Sequence, residues 1–97
     1  MPAYVIAHVE VTDMDKYQEY IKVTPETIRK HQGKFIARGG EPVTLEGEQE
    51  TRRVVILEFP TKEIAQAWYF SEEYQSAKKI RKDAALASFV VVDGVAG

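Results

Sequence analysis

Apolar and polar residues alternate from Tyr4 to Val11, with Val5, Ala7, Val9 and Val11 on one side and Tyr4, Ile6, His8 and Glu10 on the other. That is the period-two pattern of a strand between two different environments. After Thr12-Asp13, which supplies a cap, the period lengthens, and Met14, Tyr17, Tyr20, Ile21, Thr24 and Ile28 recur along one side of a helix. Pro25 interrupts the run. A proline removes a backbone donor and pushes its predecessor out of the α region, so the spacing predicts a break, with Thr24 capping a short second helix that starts at Pro25. Gly33 stands where a glycine ends a helix, and Lys34 to Arg38 reads as a second strand, ended or bulged by Gly39-Gly40.

Between Gly40 and Arg52 the chain turns polar, with Pro42, Gly47 and four glutamates, which predicts a long hairpin arm with its tip near Gly47. Arg53 to Phe59 is a third strand that stops at Pro60. Thr61 caps a helix carrying Ile64, Ala65, Ala67 and Trp68, and Ser71 caps another with Tyr74, Ala77, Ile80, Arg81 and Ala84 at helical spacing. Phe89 to Val92 supplies the last strand, closed by Asp93-Gly94. The order strand, helix, strand, strand, helix, strand predicts a ferredoxin-like βαββαβ sandwich of the α+β class, built on a four-stranded antiparallel sheet. Its helices cover one face. The other face would expose apolar residues in so short a chain unless a second copy covered it, so a homodimer closing face to face is expected.

Composition narrows the function. Residues 1–97 read as a single domain of a size at which one core is adequate but not generous, and 44% hydrophobic against 29% charged residues excludes a disordered segment. The net charge of −2, with both signs interspersed, offers no field to hold nucleic acid. The absence of cysteine excludes a disulfide framework and a thiolate nucleophile or metal ligand, and suits a reducing cytoplasm. Tyr4 to Ala7 is too short for the core of a signal peptide, and no apolar run approaches the ~20 residues that span a bilayer, so neither a membrane partner nor export is expected.

The candidate chemistry lies on the uncovered face. Alternation places His8, Arg38 and Glu58 there together, unless a bulge flips one of them. A histidine, an arginine and a carboxylate around an apolar cavity would supply a proton acceptor and an anion anchor for a small molecule, and His8 is the leading titrating group. The same three residues also fit a satisfied polar network at a dimer interface. Trp68, Tyr69 and Phe70 cannot share one helix face, so Trp68 and Phe70 are expected to pack, leaving Tyr69 at the surface or against the partner. A ligand-lining set of Trp68, Tyr69 and Tyr74 is the functional reading of the same stretch. Ser71 reads as a cap, since no nucleophile elbow surrounds it. Arg52-Arg53 could bind an anion, but with Glu46, Glu48 and Glu50 across the hairpin it reads rather as cross-strand pairing, and Lys78-Lys79 with Arg81-Lys82 as a solvated helix face. His8 and His31 lie on separate elements without a paired carboxylate, so no metal is called for and no cofactor is expected; haem would have only His8 as an axial ligand.

Tyr4-Val5-Ile6-Ala7, Gly33-Lys34-Phe35-Ile36-Ala37-Arg38-Gly39-Gly40, Leu45-Glu46-Gly47, Arg53 to Pro60 and Ala67-Trp68-Tyr69-Phe70-Ser71-Glu72-Glu73-Tyr74 together resemble the bacterial family of domain of unknown function thirteen-thirty. Thr12-Asp13 with Tyr17 and Tyr20 belongs to the same pattern. The resemblance spans nearly the whole chain and departs only at Gln32, where the family often has a second glycine. It implies a protomer of the dimeric α/β-barrel superfamily, paired through its sheets, and supplies no reaction. Wider relatives include cofactor-free monooxygenases, lactone isomerases and haem enzymes, beside members that only bind ligands. Two functions follow as expectations: a cofactor-free enzyme of monooxygenase, isomerase or lyase type, or a non-catalytic ligand-binding or accessory dimer whose polar groups hold the interface.

Overall fold

The computed structural model describes residues 1–95. Strand β1 (Ala3–Val11) leads into helix α1 (Met14–Lys30), strands β2 (Lys34–Arg38) and β3 (Arg53–Phe59), helices α2 (Lys62–Tyr69) and α3 (Glu72–Lys82), and strand β4 (Ala85–Asp93). The strands form one antiparallel sheet in the order β2-β3-β1-β4. This is the ferredoxin-like α+β arrangement expected from the element order.

Local chemistry explains where the helices begin. Asp13, Thr61 and Ser71 each accept a backbone N–H three residues on, from Lys16, Ile64 and Tyr74 respectively. These bonds satisfy donors that helix geometry leaves orphaned. Helix α1 ends in a Schellman motif: the N–H of Gly33 donates to Ile28 O and that of Gln32 to Arg29 O, with Gln32 at φ +64°. The left-handed position is thus Gln32. Gly33 is needed for a different reason, since a Cβ there would meet the Phe59 ring at 2.5 Å.

Four sequence expectations change. Helix α1 runs unbroken through Pro25. Tyr20 and Thr24 before it and Thr27 and Ile28 after it are all buried on one stripe, and the Thr24 and Thr27 hydroxyls donate to Tyr20 O and Thr24 O, both at 2.7 Å. Packing on both sides holds the helix across the missing donor. Between β2 and β3 the chain forms an irregular loop in place of a hairpin arm: Gly39 turns it at φ +68°, and Glu50 N donates to Thr44 Oγ1 at 2.8 Å. Pro42 has no donor for a ladder, and Val43 and Leu45 stand in solvent. Strand β4 starts four residues earlier than Phe89, extending its pairing with β1 to Val11↔Ala85. Phe70 is 72% exposed and does not pack into the core, because the chain ends α2 there and restarts at Ser71.

The core lies between the helices and the sheet. Val5, Ala7, Val9, Leu57 and Phe59 meet Tyr17, Tyr20, Ile28, Ala65, Trp68, Tyr74 and Ala77. Trp68 is central, its ring centroid 4.3 Å from that of Tyr74 and 5.3 Å from that of Phe59, with its indole N–H donating to Thr27 Oγ1 at 3.0 Å. A large aromatic surface is thereby buried with its one polar atom satisfied.

Candidate functional site

Register decides which expected site residues meet. Across β1 and β3, Tyr4↔Glu58, Ile6↔Ile56 and His8↔Val54 lie on the open face. His8 and Glu58 are thus separated by four residues of strand, roughly 13 Å. Each has its own partner: His8 Nε2 lies 3.5 Å from Glu50 Oε1, and Lys34 Nζ lies 3.4 Å from Glu58 Oε2. Arg38 is elsewhere. A bulge between Phe35 and Ala37 puts Arg38 opposite Val55, on the side the helices cover, with its guanidinium 4.3 Å from the Phe35 ring centroid. The three residues therefore do not share a surface, because one extra residue in β2 reverses every side chain after it.

The side that Arg38 joins holds a cavity. It lies between α1 and the sheet and is lined by Tyr17, Tyr20 and Thr24 from the helix, Arg38, Arg53 and Val55 from the sheet, and the ring of Trp68. Its volume is about 60 Å³. That is several times the ~10–15 Å³ that one water needs, and well below the ~300 Å³ at which sites for larger ligands begin. A carboxylate-sized group fits.

The polar groups around it are unusual in kind. Burial, with the Tyr20 phenol beside it, raises the Tyr17 hydroxyl above its ordinary value against the charges of Arg53 and Arg81. Burial likewise raises Tyr20 and raises Tyr74 further, and their two oxygens share one hydrogen bond of 2.8 Å. All three phenols are hydrogen-bond donors at neutral pH, and the shared bond consumes one proton of the Tyr20–Tyr74 pair, leaving the other to give.

Cations face these phenols without carboxylates. Arg53 lies 5.5 Å from the Tyr17 ring centroid, and Arg81 lies 5.8 Å from that of Tyr20. Among the described residues, two buried side-chain nitrogens lack a hydrogen-bond partner, and they are the Nε atoms of these two arginines. Gly39 makes room for one of them, since a Cβ there would meet Arg53 Nε at 2.5 Å. A buried donor without an acceptor costs free energy, more so when it is charged. The arrangement suits an anion.

Of the expected ligand-lining residues, Trp68 lines the cavity, Tyr74 reaches it through its bond to Tyr20, and Tyr69 does not line it, being half-buried against the Tyr74 and Phe89 rings with Lys78 over its own. Sequence reasoning set anion binding by Arg53 below pairing and took Arg81 for a solvated residue. Arg53 was expected to pair with glutamates, but Glu50 is held by Arg52 through bonds of 3.0 and 3.1 Å. Arg81 carried a usable signal: it falls in the apolar stripe Tyr74, Ala77, Arg81, Ala84, and it is buried. Among the described residues no cluster of three or more His, Cys, Asp or Glu could hold a metal, and no helix is long and apolar enough to cross a membrane.

A family model described as domain of unknown function (DUF1330) matches residues 2–95. A search of curated proteins finds no match. Among solved structures, a protein of unknown function from Rhodopseudomonas palustris is similar at TM-score 0.79 and 16% identity, over 99% of this chain and 84% of that one. A dimeric ferredoxin-like protein of unknown function from Jannaschia sp. CCS1 is similar at TM-score 0.74 and 17% identity, over 97% and 100%. SnoaB, a cofactor-independent oxygenase from Streptomyces nogalater, is similar at TM-score 0.70 and 7% identity, over 99% and 95%. At these identities the likeness is one of fold.

Proposed function

The chain belongs to the DUF1330 family, and from that premise we propose that it is a homodimer that binds a small organic anion in the cavity between α1 and the sheet. The observation that carries the reading is the unpartnered Nε of Arg53 beside a cavity whose other polar lining groups are a second arginine, two phenols, a threonine and an indole, with no acid among them. Arg53, with Arg38 beside it, supplies positive charge, Tyr17 and Tyr20 supply O–H donors, and Trp68 and Val55 exclude water. Such a set stabilises negative charge on a ligand oxygen in a low-dielectric setting, as cofactor-free oxygenases, isomerases and lyases require of an enolate or phenolate. The cavity lining includes no carboxylate and no imidazole, so the site favours a ligand that arrives already ionised. The same observation supports the non-catalytic alternative, in which the protein only holds the anion.

The dimer is supported by the open face, where Ile36, Leu86, Val90 and Val92 are exposed around Ile6 and Ile56, and by the similar Jannaschia protein, which is described as dimeric. A second copy would cover this apolar area, leaving His8 and Glu58 as paired interface groups. A cysteine-free chain fits a cytoplasmic setting. The test is a crystal structure grown with acetoacetate. Density against Arg53 and Tyr17 is expected; a cavity that stays closed to the ligand, with Arg53 bonded to protein acceptors, overturns the reading.

A further inference from the structure

A second concavity lies along β4, the edge strand, on the far side of Trp68 and Phe89 from the cavity under α1. It encloses about 440 Å³, within the roughly 300–1,000 Å³ of small-molecule sites. Tyr69, Phe70 and Phe89 wall it beside the buried Trp68 ring, and the two charged side chains that line it, Lys78 and Arg81, are both cations. They stand three residues apart on α3 and so point the same way. The groove continues past Lys79 and Lys82, again without a carboxylate in its lining.

Two features of this cleft are only partly used by the fold. The Phe70 ring meets Tyr69 edge-on at 5.1 Å and is otherwise largely in water. Arg81 is only 6% exposed, its guanidinium lies 5.0 Å from the Phe89 ring centroid, and its Nε has no partner among the described residues. A basic residue in the last turn of a helix is favoured by the helix dipole, which accounts for Lys79 and Lys82 at the surface. It does not account for burying a third cation. A buried guanidinium loses its hydration; the Tyr20 and Tyr74 hydroxyls and the ring faces replace that in part, and its Nε and its charge are left without an acceptor or a counter-ion.

We propose that the α3–β4 cleft binds a planar aromatic or conjugated organic anion, with its carboxylate or enolate oxygen on Arg81 and Lys78 and its ring against Tyr69, Phe70 and Phe89. The planar class follows from the walls, since three ring faces and edges beside one another match a flat partner better than a branched one. The anionic class follows from the two cations and from the absence of any acid in the lining. Lys78 already lies 5.2 Å from the Tyr69 ring centroid, so its ammonium is positioned at the edge of the aromatic wall. The site is distinct from the α1 cavity and does not depend on it.

The test is an NMR titration of the protein with 2-naphthoate, and with neutral 2-naphthalenemethanol as its counterpart. Saturable shifts centred on Phe70, Lys78 and Val91 are expected from the acid, with the alcohol binding at least about tenfold more weakly. Arg81→Gln should lose about tenfold or more in affinity, and Arg53→Gln should lose none. Lys78→Glu, on the rim, should also weaken binding, and it decides the matter if Arg81→Gln fails to fold. Equal binding of the alcohol, shifts centred on Tyr17 and Thr24, or no saturation by about 10 mM would each overturn the proposal.

Discussion

The two faces of the sheet treat charge in opposite ways. On the open face His8 meets Glu50 and Glu58 meets Lys34, so groups that look catalytic by type are already engaged. On the covered face Arg53 and Arg81 are partly or fully buried, with phenols and rings for neighbours and an unpartnered Nε each. Paired charges at a surface are close to neutral in stability, whereas unpaired cations in a core are costly and persist only if something offsets them. The difference teaches that residue type alone does not tell which charges the fold leaves unpaired.

The largest expected effect separates the faces by packing. Trp68→Ala should cost about 3–5 kcal/mol in urea unfolding, whereas Val90→Ala, measured in dilute monomer, should stay within about 0.5 kcal/mol. Equal costs would break the contrast. Next, Arg53→Met removes a cation that the ligand-free fold does not pair, so stability should stay level or rise by up to about 2 kcal/mol. A loss instead would mean that Arg53 is structurally satisfied.

A third effect is alkaline. Burial raises Tyr20 and Tyr74 above the ordinary tyrosine value of 10.0, so the folded state keeps protons that the unfolded chain releases. Their contribution is complete below pH 10 and is lost as pH rises beyond it. The double variant Tyr20→Phe/Tyr74→Phe should flatten the fall in stability above pH 10, read by chemical unfolding. The smallest effect lies on the open face. Bonds from the Arg52 side chain, then from its backbone N–H, hold Glu50 at about 2, below its ordinary 4.5. That contribution is present above pH 4.5 and lost as pH falls toward 2, and Glu50→Gln should remove this slope without touching anion binding.

Much of the fold was legible because alternation in β1, caps at Asp13, Thr61 and Ser71, and the Pro60 stop are local signals. What was not legible depended on tertiary context. The bulge at Ile36 carries no strong local mark beyond the nearby Gly39-Gly40, yet it moves Arg38 to the other face. Pro25 reads as a break because the sequence does not show that Tyr20, Thr24, Thr27 and Ile28 anchor the helix on both sides. The proposed site follows the same division: Trp68 and Tyr74 read as aromatics at helical spacing, while Arg53 reads as cross-strand pairing and Arg81 as part of a solvated helix face. Arg81 could have been found, since a cation in register with Tyr74, Ala77 and Ala84 breaks an apolar stripe.

The most direct measurement is thermal unfolding at constant ionic strength with rising acetate, and with acetamide as the neutral control, for the wild type, Arg53→Met and His8→Gln. Acetate is expected to raise the wild-type Tm and acetamide to leave it unchanged, with His8→Gln responding as the wild type does and Arg53→Met losing the response. An acetate response kept by Arg53→Met and lost in His8→Gln would place the anion site on the open face and contradict the account.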